Sequence, residues 1–263
     1  MAERAKKKPN WIVEKERNRK ARNAETIWLF GLHAVRDALT NPMREKLSLM
    51  VTKNAHQKLQ SEIEASGIEP QIVDARKFNA PIDPNSVHQG AVIEVKPLDW
   101  GDLTDICAPR GQPAVVVVLD RVSDPHNVGA ILRSAEVFGA RAVIATQRHA
   151  APETGALAKT ASGALERQPY IRVRNLAQTL RNLQEMGYFV LGMDGTADAS
   201  VASLTADLAD RPIAIVMGAE GPGLRDLTKE TCDQMVKIDY ANDFGSLNVS
   251  NAAAVALYAM KRG

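Results

Sequence analysis

Along most of this chain, the spacing of hydrophobic and polar positions is typical either of strands or of helices. Strand-like and helical segments alternate. The clearest signal is the continuous apolar run from Ala114 to Leu119, which is typical of a strand buried on both faces of a parallel sheet. Further strands are predicted at 142–145, 170–173, 188–193, 213–217 and 235–238, with helices at 128–138, 176–186, 224–232 and 249–260. This alternation predicts an α/β fold with helices on both faces of a parallel sheet.

The residues ahead of this sheet predict a second, smaller domain. Short strand-like and helical stretches follow one another over residues 26–97, and helical spacing from Leu32 stops at Asn41-Pro42. Residues 98–113 are rich in proline and glycine, as linkers are. We therefore predict a small α/β domain at 26–97, a linker at 98–113 and a main domain at 114–263, which is long enough to bury its own core.

Composition narrows the class of protein. Hydrophobic residues make up 45% and charged residues 24%, which excludes a wholly disordered chain. No apolar run approaches the roughly 18 residues that a membrane span needs, and no secretory signal is evident. The two cysteines, Cys107 and Cys232, form no C-x-x-C pair, and the five histidines show no metal-binding spacing. We expect a cytoplasmic protein without a disulfide framework, a metal or a membrane partner.

Charge is distributed unevenly along the chain. Residues 1–25 hold nine basic and four acidic residues, a net charge of +5, and the remainder carries −3. A basic, disordered tail of this kind adds affinity for phosphates regardless of nucleotide sequence. It is also compatible with a tail that only aids solubility, and charge alone does not decide between the two.

Three polar, glycine-rich segments follow buried strands, which is where open α/β sheets bind ligands. The first, 120–129, leads into a helix for which Asn127 is a natural N-cap, and spacing alone places Arg133 on the solvated face of that helix. The second, 216–224, has its glycines in the reverse order of the dinucleotide fingerprint, which disfavours a nicotinamide cofactor. Within it, Glu220 either orients a substrate or caps the next helix. The third, 244–254, is a polar loop opening an alanine-rich helix.

Together these segments resemble a known family. The run N-x-G-A-I-x-R-S-A at 127–135, M-G-A-E-G-x-G at 217–223 and S-L-N-V-S at 246–250 resemble, in order, the three motifs of the SpoU family. Members are RNA ribose 2′-O-methyltransferases of the SPOUT class. The resemblance implies a parallel-sheet catalytic domain threaded into a trefoil knot, preceded at 26–97 by a small L30e-like domain that binds the RNA substrate.

The resemblance also implies a cofactor, a partner and a site. The cofactor is S-adenosylmethionine, and the active enzyme is a homodimer with its active site near the subunit interface. The residues that match the family's cofactor contacts are Gly218, Ile238 and Leu247. Those that match its catalytic set are Asn127, Arg133, Glu220, Ser246 and Asn248. Because the arginine pKa exceeds about 12, we expect Arg133 to act as a cation rather than a base, with Glu220 or a substrate phosphate taking the proton.

The expected reaction is methylation of a ribose 2′-hydroxyl in RNA. The two-domain layout is most similar to that of bacterial enzymes that act on a guanosine of 23S rRNA. Two alternatives stay open at this point: the same chemistry on a tRNA or another rRNA nucleotide, and a non-catalytic RNA-binding assembly factor. The intact catalytic set argues against the assembly factor, since a pure binder does not need it.

Overall fold

The computed structural model describes residues 26–78, 80–83, 86–110, 113–205, 207–241 and 246–260. The predicted basic tail at 1–25 lies outside these residues. The strands are β1 Ile27–Phe30, β2 Lys46–Thr52, β3 Pro70–Val73, β4 Ala91–Val95, β5 Val115–Asp120, β6 Ala142–Thr146, β7 Tyr170–Val173, β8 Phe189–Met193, β9 Ala199–Ser200, β10 Ile213–Gly218 and β11 Gln234–Lys237. The helices are α1 Leu32–Thr40, α2 Lys53–Lys58, α3 Gln60–Ser66, α4 Leu103–Cys107, α5 Pro125–Val137, α6 Gly155–Ala161, α7 Leu176–Glu185, α8 Val201–Leu204, α9 Asp226–Thr231 and α10 Val249–Ala259, with short 3₁₀ turns at Ala75–Lys77 and Ala164–Glu166.

The chain divides into two compact units, with the boundary in the sequence between Leu98 and Asp99. In the first unit, four strands form a sheet in the order β1-β4-β2-β3, with β2 and β3 parallel and the other pairs antiparallel. Leu29, Leu49 and Ile93 from three of these strands are buried, together with Val35 from α1. This unit is therefore a small α/β domain with its own apolar core.

The second unit is built on a seven-stranded sheet in the order β7-β6-β5-β10-β8-β11-β9. Every neighbouring pair in it is parallel. All residues of β5 and β6 are buried, as expected for central strands covered on both faces. The predicted α/β class with a parallel sheet is confirmed, while the trefoil-knotted threading stays a prediction.

A short helix within the segment of linker composition packs on the second unit. Within residues 98–113, helix α4 places Cys107, fully buried, in the core of that unit. Tyr188, which directly precedes β8, donates a 2.7 Å hydrogen bond from its hydroxyl to the Cys107 carbonyl. The prediction of a linker over this whole range is thus wrong for α4. This helix has only a few apolar residues, and the glycine and prolines on either side of it give the range a linker composition.

Helix α5 begins earlier than its apolar spacing indicates. Asp124 is the N-cap, and its side chain accepts a 2.9 Å hydrogen bond from the His126 amide. Pro125 occupies the first turn, where its fixed φ suits a helix start and no amide donor is needed. The expectation that Asn127 caps this helix is therefore wrong. Asn127 lies within the first turn, and its amide is free for other contacts.

No helix in the described ranges is long and apolar enough to cross a membrane.

Candidate active site

Three polar side chains from the three glycine-rich or polar segments meet at the carboxyl ends of β5 and β10. These strands are neighbours in register, with Gly218 paired to Asp120. Asn127 Nδ2 donates to Glu220 Oε1 over 3.1 Å. Asn248 Nδ2 donates to the same oxygen over 2.6 Å and to Asn127 Oδ1 over 3.0 Å. The structure thus joins residues that lie 121 and 28 positions apart into one network.

The start of α10 sets the orientation of this network. Asn248 is the N-cap of α10, and its Oδ1 accepts hydrogen bonds from the Ser250 amide at 2.8 Å and the Ser250 hydroxyl at 2.5 Å. A backbone amide can only donate, so the Asn248 carbonyl oxygen must face Ser250 and its Nδ2 must face Glu220. The capping interaction therefore fixes which way the amide points.

The two carboxyl oxygens of Glu220 differ in their hydrogen bonding. Both amide donors bind Oε1, and Oε2 accepts no hydrogen bond from the residues that the structure describes. Asn127 is buried whereas Glu220 is exposed. A carboxyl group held this way can accept a hydrogen bond or a proton from a hydroxyl brought to it from solvent.

The loop that carries Glu220 is closed on itself. Ala219 and Gly223 exchange backbone hydrogen bonds of 3.2 and 3.0 Å, and Gly221 and Gly223 have φ of 85° and 67°. A Cβ on Gly218 would lie 2.3 Å from the Gly223 carbonyl carbon and 2.6 Å from the Leu224 nitrogen. Gly218 is thus required for the packing of this loop, a role that its motif did not predict.

A buried carboxylate anchors the far end of the same loop. Asp120, fully buried at the end of β5, accepts hydrogen bonds from the Arg225 amide at 3.1 Å, the Arg225 Nε at 2.7 Å and the Thr228 hydroxyl at 2.8 Å. These contacts join β5 to the start of α9. Sequence reasoning did not single out Asp120 or Arg225; the only signal was an acidic residue ending an apolar run.

Two of the three residues predicted to hold the cofactor lie on either side of the end of β8, and the third, Leu247, lies just before α10. Gly218 ends β10, Ile238 directly follows β11, and β8 lies between these two strands, so the two positions are about 10 Å apart. A Cβ on Gly195, two residues past β8, would meet only the Tyr240 hydroxyl at 4.0 Å. Ile238 is half-buried and Leu247 exposed. The space beside Gly195, with the apolar side chain of Ile238 at the end of the neighbouring strand, fits the flat adenosyl group of S-adenosylmethionine.

Comparison with known proteins decides the family. The sequence model of the SpoU rRNA Methylase family matches residues 114–258, more than half of the chain. A second model, for RNA 2′-O ribose methyltransferase substrate binding, matches residues 28–100. The chain belongs to the SpoU family.

Individual SpoU relatives are similar over most of the chain. The 23S rRNA (guanosine-2′-O-)-methyltransferase RlmB of Vibrio vulnificus is 39% identical over 240 residues, which cover 88% of this chain and 94% of that protein. RlmB of Escherichia coli is 37% identical over 239 residues, covering 88% and 96%. The predicted family is confirmed, and the similarity includes both units.

Solved structures of methyltransferases share the fold. The methyltransferase AviRb from Streptomyces viridochromogenes, in complex with AdoMet, superposes with a TM-score of 0.76 at 23% identity, covering 93% of this chain and 92% of that one. An AdoMet-bound rRNA methyltransferase from Sinorhizobium meliloti gives a TM-score of 0.75 at 22% identity, covering 95% and 94%. At these identities the comparison supports the architecture alone.

Two residues of the predicted SpoU catalytic set lie outside the network. Arg133 is exposed on α5, six residues after Asn127, and Ser246 is exposed just before Leu247. Neither side chain forms a hydrogen bond or an ion pair with the described part of the chain. Arg133 therefore lies on the solvated face that its helical spacing indicated. The structure assembles three of the five predicted residues and leaves these two available to a substrate or a second subunit.

The described residues provide neither a metal site nor a nucleophilic cysteine. In the described ranges, no group of three His, Cys, Asp or Glu side chains is arranged to hold a metal. Burial raises the pKa of Cys107 to about 11 and that of Cys232 to about 12. Both thiols are protonated at neutral pH, and Cys232 Sγ donates to the Thr228 carbonyl over 3.1 Å. They are packing residues rather than nucleophiles.

Proposed function

We propose that this protein methylates the ribose 2′-hydroxyl of a guanosine in 23S rRNA, with S-adenosylmethionine as methyl donor. Relatives that are 37–40% identical over about 88% of the chain are named for that reaction. The observation that carries the proposal is the Asn127–Glu220–Asn248 network, because it presents a carboxyl oxygen beside the loops expected to hold the cofactor.

Gly218, Ile238 and Leu247 are the residues proposed to hold the cofactor at the ends of β10 and β11 and before α10. When bound, S-adenosylmethionine supplies an electrophilic methyl group on a positively charged sulfur. Since the loop bearing Glu220 begins at Gly218, the cofactor residues and the catalytic carboxyl belong to one stretch of backbone. Holding the two reactants in line accounts for much of the rate.

Glu220 is the proposed proton acceptor. Asn127 and Asn248 hold its Oε1, so Oε2 is the oxygen left to receive the 2′-hydroxyl proton. A phosphate oxygen of the substrate is the alternative acceptor. Glu220→Gln separates the two, because the Gln carbonyl can keep both amide hydrogen bonds whereas its –NH₂ cannot take a proton.

Arg133 and Ser246 are proposed to contact the RNA. A guanidinium stays charged at any pH the enzyme meets, so Arg133 serves as a cation that binds a phosphate next to the target and stabilises the developing alkoxide. Its lack of an ion pair within the described ranges supports this role. Ser246 can hydrogen-bond to the ribose from the loop before α10.

A homodimer is proposed from the surface beside Arg133. Val137 follows Arg133 by four residues on α5 and so lies on the same face. Val137 is 66% exposed and Tyr258, on α10, is 70% exposed. Phe138 and Tyr258 meet edge to face with ring centroids 5.9 Å apart, which makes the patch continuous between the helices. A second copy covering it would bring its own Arg133 to the interface.

The deciding experiment maps 2′-O-methylation in 23S rRNA and tRNA from a strain lacking this gene. We expect one guanosine of 23S rRNA to lose its methyl group, and to regain it with the wild-type protein but not with Glu220→Gln. Glu230→Gln, an exposed carboxyl on α9, is the matched control and should restore methylation. Loss of a tRNA methyl group would favour the second substrate class, and an unchanged map in both RNAs would contradict the proposal. Action on rRNA is consistent with the expected cytoplasmic location.

A further inference from the structure

An arginine follows each of three adjacent strands at the edge of the sheet that carries the active site. Arg121 comes one residue after β5, Arg148 two after β6 and Arg174 one after β7. These strands are neighbours in the order β7-β6-β5, and β5 is next to β10, whose end leads to Glu220. We name Arg121, Arg148 and Arg174 the arginine row.

The strand register places the row on a line. Leu119 pairs with Ala145, and Thr146 pairs with Val173. Extending this pairing by two and one positions sets Arg121, Gln147 and Arg174 at one level, with Arg148 one residue beyond. Adjacent strands are about 4.8 Å apart, so the row covers about 10 Å from β5 to β7. The row thus leads away from the Glu220 loop in one direction.

All three side chains are exposed. None of them forms a hydrogen bond or an ion pair with the described residues. Exposed arginines on a folded surface commonly pair with nearby carboxylates, but the acidic residues of these loops do not pair with the row. Asp124 caps α5, and Glu153 is half-buried, with a charge that helps to raise the pKa of Tyr170. The row therefore keeps three positive charges available to a ligand.

The middle loop of the row is held rigidly. Arg172 on β7 donates hydrogen bonds to the carbonyls of Thr146 at 3.1 Å, Gln147 at 3.1 Å and Ala151 at 3.0 Å. The Ala151 amide in turn donates to the Val122 carbonyl, which ties this loop to the one that follows β5. Because the backbone that carries Arg148 is fixed, little ordering is needed when that side chain binds a ligand.

The end of the row nearest the active site opens into a cavity. Arg121 and Arg225 line a space of about 270 Å³ together with Ala219, Pro222 and Gly223 from the Glu220 loop. Arg121 adopts a left-handed backbone with φ of 60°, which is uncommon for a residue with a side chain and is found more often at functional positions. The row is therefore continuous with the catalytic loop.

We propose that the arginine row binds consecutive phosphates of the single RNA strand on one side of the target nucleotide. Arginine is the side chain best suited to phosphate, and backbone contacts of this kind fix the position of an RNA without reading its sequence. The arginine row accordingly determines whether the RNA must extend to the 5′ or to the 3′ side of the target nucleotide. The Asn127–Glu220–Asn248 network carries out the methyl transfer. This inference rests on the proposed RNA-methylating function.

The test compares the wild-type protein with Arg121→Gln, Arg148→Gln, Arg174→Gln and the triple variant on an RNA fragment that contains the target. We expect the triple variant to bind this RNA about 100-fold more weakly at low salt, with a salt dependence shallower by about 0.7 per lost contact. Affinity for S-adenosylmethionine and turnover at saturating RNA should stay within about twofold of wild type. Arg181→Gln, an exposed arginine on α7, is the matched control and should change none of these quantities.

Trimming the RNA from each end tests the direction of the row. Shortening one flank should weaken binding to the wild-type protein and leave binding to the triple variant unchanged, whereas shortening the other flank should affect both equally. Equal salt dependence in the wild type and the triple variant would overturn the inference. So would equal sensitivity to trimming of both flanks. Failure of the proposed function is a separate result, in which the wild-type protein itself transfers no methyl group to the RNA.

Discussion

Asn248 Nδ2 lies 2.6 Å from Glu220 Oε1, and the same asparagine is the residue at which the last helix begins. The carbonyl oxygen of its side chain caps α10 through Ser250, and its nitrogen holds the carboxyl group. One residue therefore links the start of a helix to the orientation of the proposed proton acceptor.

Asn248→Asp separates these two roles. Aspartate caps helices as well as asparagine does, so the start of α10 should survive. The second carboxyl group would lie beside Glu220, where two oxygens that only accept hydrogen bonds repel each other. We expect methyl transfer to fall by about 100-fold and the free energy of unfolding to change by less than about 1 kcal/mol. The measurements are single-turnover methyl transfer and urea unfolding.

Asn175→Asp is the control for this substitution. Asn175 caps α7, accepting a 3.1 Å hydrogen bond from the Gln178 amide. Asn175 is not part of the Glu220 network. The substitution Asn175→Asp should therefore leave methyl transfer unchanged. An active Asn248→Asp enzyme would show that this contact does not matter for the reaction.

Arg133→Ala should abolish methyl transfer while leaving affinity for S-adenosylmethionine intact, because the exposed guanidinium is proposed to contact RNA. If a second copy supplies Arg133 across the Val137–Tyr258 patch, two inactive variants should rescue each other. An equal mixture of Arg133→Ala and Glu220→Gln chains would form mixed dimers in which one of the two sites is intact. We expect about a quarter of the wild-type activity after mixing.

Val137→Glu tests the patch itself, because a charge there opposes association. It should convert the protein to a monomer, measured by light scattering, and it should also prevent the rescue. A mixture without activity, from chains shown to exchange subunits, would place Arg133 in the same subunit as the Glu220 that it serves.

The motifs predicted which segments matter, and the register of β5 against β10 determines which side chains meet. Asn127, Glu220 and Asn248 could be named from sequence, but their shared oxygen depends on strand pairing and on the α10 cap. Apolar spacing predicts that this helix starts at residue 128, whereas Pro125 starts it three residues earlier, so Asn127 lies inside the helix.

Contacts between residues that are distant in the sequence could not be predicted from spacing. The Asp120 side chain accepts a hydrogen bond from Arg225, which lies 105 positions further along the chain. Cys107 reaches the core through α4, a short helix between Gly101 and Pro109. Gly218 was predicted as a cofactor residue, whereas its close approach to Gly223 is visible only once the loop is folded. In each case a local pattern lacks the tertiary partner that gives the residue its role.

Gly218→Ala should destabilise the protein because the added Cβ would overlap the Gly223 and Leu224 backbone. Backbone cannot move aside as a flexible side chain can, so we expect the free energy of unfolding to fall by about 2 kcal/mol. Affinity for S-adenosylmethionine should fall as well, since the Glu220 loop would shift. Urea unfolding and calorimetric titration measure the two effects.

Gly195→Ala is the comparison for this variant. Its Cβ would meet only the Tyr240 hydroxyl, at 4.0 Å, so the free energy of unfolding should be unchanged. If the adenosyl group occupies the open space beside β8, affinity for the cofactor should still fall. Unchanged affinity in Gly195→Ala would move the cofactor away from this strand end, and unchanged stability in Gly218→Ala would contradict the steric account of the loop.

Asp194 makes stability depend on pH. Its Oδ2 accepts a 2.6 Å hydrogen bond from Lys229 Nζ, and its Oδ1 accepts from the Thr196 amide and hydroxyl. The hydrogen bond from Lys229, followed by that from the Thr196 amide, lowers the pKa of Asp194 from 3.8 to about 2. A carboxyl whose pKa is depressed in the folded state stabilises the protein above its unfolded pKa, and this stabilisation disappears as the pH falls through the folded value.

Asp194→Asn should therefore lower the free energy of unfolding by about 1 kcal/mol at pH 7, a value reduced for the partial exposure of the pair. The difference from wild type should persist at pH 5 and shrink by roughly half at pH 3, between the two pKa values. Asp198→Asn removes the same charge from an exposed residue that pairs with no described side chain, and it should show no such trend. Urea unfolding at the three pH values measures this. A destabilisation by Asp194→Asn that is equal at pH 7 and pH 3 would mean that the carboxyl acts by its shape rather than its charge.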